Sequence, residues 1–130
     1  MPPASPPTAV LLIAHGSRRP EANADLEHLA AALRARGRYA RVETAYLELA
    51  QPDIAAGGAT CAAGGAARVI LVPYFLSAGV HVREDLEAAR QALARRFPGV
   101  EFRLAEPLGR HPLLVEVVAA RAAEAEASRQ

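Results

Sequence analysis

Continuous apolar runs alternate along the chain with segments of helical repeat. Residues 9–14 (AVLLIA) form an uninterrupted apolar run, which is typical of a strand buried on both faces. Pro20 suits the first turn of a helix, and leucine and alanine then recur at helical spacing up to Gly37. Because this pairing of strand and helix recurs further along the chain, the sequence predicts a succession of β-α units.

Three more units follow the first. Strands are predicted at residues 41–47, 68–72 and 100–104, and helices from Pro52 and Asp53, around residues 86–97, and at residues 112–127. The second of these four helices contains glycines that weaken a helix interior, and some of them are expected at its end or in a turn: Gly57, Gly58, Gly64 and Gly65. Pro73 is expected to stop the third strand.

Four successive units of this kind predict the α/β class. We expect one flavodoxin-like, three-layer domain, with a four-stranded parallel sheet in the order 2-1-3-4 and helices on both faces. Residues 9–130 would form this domain, whereas residues 1–8 contain four prolines and are expected to be a disordered leader. Ligands of such sheets bind beyond the carboxyl ends of the strands, so the segments after each strand are the candidate site.

Composition and charge exclude several function classes. The 130 residues have a formal net charge of +1, and all 15 basic residues are arginine. Without lysine the chain has no Schiff-base or Walker-A chemistry, and the balanced charge does not indicate a nucleic-acid partner. No apolar run approaches the roughly 20 residues that cross a bilayer, so we expect a cytoplasmic protein with no membrane partner. The single cysteine, Cys61, is expected to be a small buried residue.

Histidines and one glutamate lie in the segments that follow the predicted strands. His15 comes directly after the first strand, His81 is expected in the loop after the third, and Glu48 follows the second. Two imidazoles and a carboxylate suit Zn, Co, Ni or Fe(II), and the same groups can accept protons. The alternative is that these are ordinary loop residues. His111 opens the last helix, and His28 lies within the first as a surface or packing residue.

Arginines accompany this group. Arg18, Arg19, Arg83 and Arg110 all lie in predicted loops or at helix starts after strands. The guanidinium group binds carboxylates in bidentate fashion, so several arginines around one cleft indicate a polyanionic ligand. Chance placement is the alternative, since arginine is the only cation that this chain uses.

Four ordered segments together resemble the small CbiX-type sirohydrochlorin chelatases: LLIAHGSR, AYLELAQPDI, RVILVPYFLSAGVHVREDL and LGRHPLL, spanning about residues 9–118. These class II chelatases insert a divalent metal into a tetrapyrrole for cobalamin or sirohaem synthesis. The resemblance implies sirohydrochlorin as substrate, with Co²⁺ or Fe²⁺, or else Ni²⁺, as the metal substrate, and no organic cofactor.

The resemblance also assigns residues by position. It implies that His15 and His81 bind metal and accept protons, with Glu48 as the carboxylate near the metal. It further implies that the substrate's carboxylates contact residues of the surrounding loops, which are Ser17, Arg18, Arg19, Arg83 and Arg110. Larger relatives resemble two such domains fused, so a homodimer is expected. Val80 departs from the family pattern, in which a glycine usually precedes this histidine.

Three other functions remain open on the sequence alone. Histidine phosphatases also place a histidine-glycine pair after their first strand, but the arginine that precedes it there is Ala14 in this chain. A non-catalytic tetrapyrrole or metal carrier would keep the same residues and show binding without turnover. A nucleotide binder would use Gly16 and Ser17, in a loop with few other phosphate-binding residues.

Overall fold

A computed structural model describes residues 6–128 of the chain. Within this range four strands alternate with four helices: β1 (Thr8–Ala14), α1 (Pro20–Ala35), β2 (Arg41–Tyr46), α2 (Ile54–Ala63), β3 (Arg68–Pro73), α3 (Val80–Arg96), β4 (Glu101–Leu104) and α4 (Leu113–Ala127). The strands form one parallel sheet in the order β2-β1-β3-β4, which confirms the predicted topology. Among these residues no helix combines the length and hydropathy that crossing a bilayer requires.

Two apolar layers fix the helices to the sheet. Side chains of β1 alternate between the layers, so that Leu11 and Ile13 pack under α2 and α3, whereas Val10 and Leu12 pack under α1. Helices therefore cover both faces, as the uninterrupted apolar run of β1 predicts. Cys61 lies in the first layer as a buried free thiol, and its burial raises the pKa of the thiol to about 11.

The sheet begins earlier than the sequence pattern indicates. The Pro7 carbonyl accepts hydrogen bonds from the N–H groups of Ala67 (2.8 Å) and Arg68 (3.2 Å), so backbone pairing already includes the residue before Thr8. Thr8, expected in the leader, is the first residue of β1. Residues 1–5 of that predicted leader lie outside the described residues. Pro73, expected to follow β3, is its last residue.

Two glycines lie in the interior of α2 rather than at its end. A Cβ on Gly57 would lie 2.8 Å from Leu11 Cδ1, and one on Gly58 would lie 2.5 Å from Leu93 Cδ1. The missing side chains therefore let α2 approach both β1 and α3 closely. Gly64 and Gly65 follow the helix, as the sequence predicts for some of the four.

Replacing Gly57 with alanine is expected to destabilise the fold by about 1–2 kcal/mol. Overpacking a core costs about 1–3 kcal/mol, which exceeds the gain of up to about 1 kcal/mol in helix propensity. Denaturant unfolding measures the difference. Gly99→Ala is the matched control, because a Cβ there meets nothing within 4 Å. Equal stability of the two variants would show that α2 does not need glycine at this contact.

Candidate functional site

His15 and Glu48 lie together at the carboxyl edge of the sheet. The register pairs Ala14 with Tyr46, so the ends of β1 and β2 are level. Backbone pairing continues past them, since the Glu48 N–H donates to the His15 carbonyl at 3.0 Å. Both residues line one open cleft of about 480 Å³. The structure therefore places these two predicted site residues in the same cavity.

The imidazole of His15 rests on an aromatic ring from the neighbouring strand. Its centroid lies 4.5 Å from that of Phe75, with the ring planes inclined by 33°. Phe75 follows β3 and is buried, while His15 is exposed. The contact orients one ring face and leaves the rest of the imidazole open to the cleft. The sequence analysis did not identify Phe75, because nothing in an apolar residue after a strand indicates its neighbour.

Gly16 allows the loop after His15 to turn tightly against β2. Its φ is +96°, a left-handed conformation that glycine adopts without strain. A Cβ at this position would lie 1.8 Å from the Glu48 carbonyl oxygen. No side chain fits in that space, so both the backbone conformation and the close approach require glycine.

Asn23 holds the same loop from α1. Its side-chain Oδ1 accepts from the Ser17 N–H at 3.0 Å, and its Nδ2 donates to the Ser17 carbonyl at 2.8 Å. Its own carbonyl accepts from the Tyr46 hydroxyl at 3.2 Å. Burial, and then the nearby Glu27 carboxylate, raise the pKa of Tyr46 above its usual value, so this phenol stays neutral. Asn23 thus connects the His15 loop, α1 and the end of β2.

Asn23→Ala is expected to lower the free energy of unfolding by about 1–2 kcal/mol, because two partly buried hydrogen bonds are lost. Chemical denaturation measures this loss. Asp25→Ala is the control: Asp25 is an exposed residue of the same helix, and such surface changes stay within about 0.5 kcal/mol. A loss no larger than that of the control would remove Asn23 from this role.

His81 lies on a helix, which corrects its expected place in a loop. Gly79 caps α3 and Val80 is its first residue, so His81 belongs to the first turn. Its side chain is 98% exposed, and its Nδ1 lies 4.0 Å from Glu84 Oε2. The helix begins earlier than its apolar repeat, because the first turn of α3 is mostly solvated and carries no buried apolar residue that marks it in the sequence.

His81 does not line the cleft that contains His15, although the neighbouring residues Val82 and Asp85 do. Within residues 6–128 no three His, Cys, Asp or Glu side chains are grouped closely enough to hold a metal ion. The three predicted ligands therefore do not form a closed metal cage within one chain.

Asp53 and Asp85 are two cleft carboxylates that the sequence analysis missed. Asp53 caps α2, since its Oδ1 accepts from the Ala56 N–H at 2.8 Å. Its position after Pro52 indicates a cap, but no sequence pattern places it beside His15. Asp85 comes from α3, on the far side of the same cleft. The cleft is thus acidic around its one imidazole.

The predicted substrate-binding residues divide between two places. Arg83 and Arg110 line a second cleft of about 570 Å³ on the β3–β4 side, where Arg83 pairs with Glu106 at 3.3 Å. Arg18 and Arg19 are exposed on the loop before α1. The hydroxyl of Ser17 accepts from the Arg19 N–H at 3.1 Å and so belongs to the local turn. His111 Nδ1 accepts from the Leu113 N–H and supports the start of α4.

Large apolar side chains are exposed along the same edge of the sheet. They come from the segments after β2 and β3 and from the first residue of α3, and we call them the strand-end platform: Leu49, Tyr74, Leu76 and Val80. Exposed apolar residues grouped in this way mark surfaces that bind a ligand or a partner. The platform lies in the post-strand segments that also carry His15, Glu48 and the arginines.

Comparison with known proteins gives the same family for nearly the whole chain. The CbiX family model matches residues 9–125. Sirohydrochlorin ferrochelatase, chloroplastic, from Arabidopsis thaliana is 37% identical over 84% of this chain and 48% of its own length. Sirohydrochlorin cobaltochelatase from Priestia megaterium is 34% identical over 90% of this chain and 38% of its own length. The chain thus spans less than half the length of either relative.

A solved structure of single-domain length is also similar. It is described as a CbiX protein of cobalamin (vitamin B12) biosynthesis from Marinobacter aquaeolei VT8, and it superposes with a TM-score of 0.77 at 32% identity. The match covers 94% of this chain and 100% of that one. With the family model matched over residues 9–125, these similarities agree with the fold, and the chain belongs to the CbiX family.

Proposed function

We propose that this protein inserts a divalent metal, Co²⁺ or Fe²⁺, into sirohydrochlorin. The observation that carries the proposal is one edge of the sheet, where His15 and Glu48 share a cleft beside the exposed apolar strand-end platform. A flat, polycarboxylate macrocycle needs an apolar surface for its rings and cations for its rim. Membership of the CbiX family supports the same reaction, since two of its relatives are named for it.

His15 has the position that metal insertion requires. A free-base macrocycle must release pyrrole N–H protons as the metal enters, so a group beside the metal has to accept them. A neutral imidazole can first coordinate the metal and then accept a proton. The ring of His15 is held on one face by Phe75 and is otherwise exposed, which leaves its nitrogens accessible. Glu48, in the same cleft, would attract the incoming cation.

The arginines would bind the rim of the substrate. Arg83 and Arg110 line the second cleft beside Leu76, and Arg18 and Arg19 stand free on the loop after β1. A macrocycle lying on the platform would extend across the sheet edge toward both sets. Its carboxylates could then pair with guanidinium groups on opposite sides.

A second copy of the chain would complete the site. The His15 cleft is open, whereas ligand sites usually bury most of the ligand surface. His81 is almost fully exposed in one chain, yet the family resemblance assigns it to metal handling. A two-fold homodimer with facing strand-end edges would enclose the macrocycle and bury His81. The double length of the longer relatives, beside a single-domain relative, supports this arrangement.

The metal and the compartment are finer points of the proposal. Nitrogen and oxygen ligands accept cobalt, iron and nickel alike, so availability decides among them. The two relatives are named for iron and for cobalt respectively. The sequence favours the cytoplasm, whereas the Arabidopsis thaliana relative is named as chloroplastic.

An anaerobic insertion assay tests the function. Purified protein is mixed with sirohydrochlorin and Co²⁺, Fe²⁺ or Ni²⁺ in turn, and the absorption spectrum of the pigment is followed. We expect insertion faster than in the protein-free mixture with Co²⁺ or Fe²⁺. Tight binding of the pigment without any acceleration would overturn the proposal and identify a carrier. Release of phosphate from an aryl phosphate without added metal would instead identify a phosphatase.

A further inference from the structure

The last helix, α4, has no structural partner within its own chain. None of its fifteen described residues is buried, and no helix or strand of residues 6–128 packs extensively along it. Its first eight residues, 113–120, are apolar except for Glu116. Exposed large apolar side chains lie throughout its first half: Leu113, Val115, Val117 and Val118. A helix that is apolar on all sides is normally buried, so α4 requires a cover.

One half of one sheet face is likewise left open. Helix α1 packs on β1 and β2, and in the described part of the chain no helix packs extensively over β3 and β4 on that side. Ile70 and Val72 of β3 point to this face and are only partly buried. A groove of about 550 Å³ opens there, lined among others by Tyr39, Arg68 and Ile70. Parallel sheets are normally covered on both faces, so this half also lacks its layer.

We propose that α4 of one copy packs on the open half of the sheet in a second copy, and that the exchange is reciprocal. The inference rests on the homodimer of the proposed function and names the segment that holds it together. Each chain carries one helix without a sheet and one sheet half without a helix. A two-fold pair fills both vacancies with a single repeated contact.

The dimensions and charges of the two surfaces agree. A helix of fifteen residues is about 22 Å long, and the six residues of β3 span about 20 Å. On the sheet side the open half carries Arg68, Arg103 and one glutamate, Glu101, and so has a net positive charge. Helix α4 carries three glutamates and one arginine, and so has a net negative charge.

The segment before α4 directs it away from its own sheet. The Leu108 N–H donates to the Phe75 carbonyl at 2.8 Å, and a Cβ on Gly109 would lie 1.8 Å from the Leu76 carbonyl oxygen. Arg110 then turns the chain with a φ of +66°. The start of α4 is thus held at the carboxyl edge, beside the strand-end platform. An exchanged helix would therefore bring the site-bearing edges of two copies together.

Cross-linking between two tagged chains tests the exchange. In a Cys61→Ala background, one chain carries Ile70→Cys and the other Val118→Cys, and the mixed proteins are treated with a short bismaleimide. We expect a cross-linked dimer that contains both tags. The control pair combines Val118→Cys with Arg95→Cys, on α3 at the opposite face of the sheet, and should remain unlinked. Linkage within a single chain of the double variant, or equal linkage of the control, would overturn the exchange.

The mass of a charged variant separates this inference from the proposed chelatase activity. Val118→Glu should give a single-chain mass by light scattering with its sheet intact by circular dichroism, whereas Ala88→Glu on α3 should stay dimeric. A wild-type chain that is active but shows no cross-link contradicts only the exchange. A wild-type chain that cross-links as expected but does not accelerate metal insertion contradicts only the function.

Discussion

Replacing His15 with alanine is expected to reduce metal insertion to the rate of the protein-free mixture. His15 is the only imidazole that lines the cleft among the described residues, and it would serve as both metal ligand and proton acceptor. General acid–base catalysis alone contributes about 10²- to 10⁴-fold, so we expect a loss of at least about 100-fold in initial rate. Pigment absorbance at saturating metal measures the rate, and circular dichroism checks that the sheet is retained.

His28→Ala is the matched control for this change. His28 is also exposed, but it lies in the middle of α1 and does not line the cleft. It should keep the wild-type rate, which excludes a general effect of removing one imidazole. If His15→Ala kept more than a tenth of the wild-type rate, the assignment of His15 would be wrong.

Replacing Gly16 with alanine is expected to impair both the fold and the activity. A left-handed backbone costs alanine about 1–2 kcal/mol, and the added Cβ would overlap the Glu48 carbonyl oxygen at 1.8 Å. The loop must then move, and His15 and Glu48 move apart with it. Because misplacement by about 1 Å can reduce catalysis 100-fold, we expect a rate loss well above tenfold. The insertion assay and thermal unfolding measure the two effects.

Gly37→Ala separates the overlap from the backbone strain. Gly37 has a similar left-handed φ of +70°, but a Cβ there meets nothing within 4 Å. This variant should lose about 1 kcal/mol of stability and retain its full insertion rate. Equal rate losses in the two variants would show that the close approach of Gly16 to β2 has no part in the site.

The layout of the sheet could be predicted because it depends on local patterns. The apolar run of β1 required two covered faces, and short crossovers between parallel strands left few possible strand orders. The same reasoning placed His15 and Glu48 at one edge, where they share a cleft. Resemblance to a known family added the assignment of His81, which geometry within a single chain does not reproduce.

Features that depend on contacts between distant segments were missed. Gly57 and Gly58 weaken a helix by propensity, but tertiary packing against Leu11 and Leu93 outweighs that weakness. The bonds from Asn23 to the Ser17 backbone leave no trace in hydrophobic periodicity. The unpacked state of α4 was also unexpected, because its composition is that of an ordinary buried helix.

X-ray absorption of the cobalt-loaded protein tests the central claim most directly, namely that imidazoles from two separate segments meet on one metal. We predict histidine ligation in the wild type that decreases in both His15→Ala and His81→Ala and is unchanged in His28→Ala. A cobalt site whose ligation is the same in all four proteins would contradict the account.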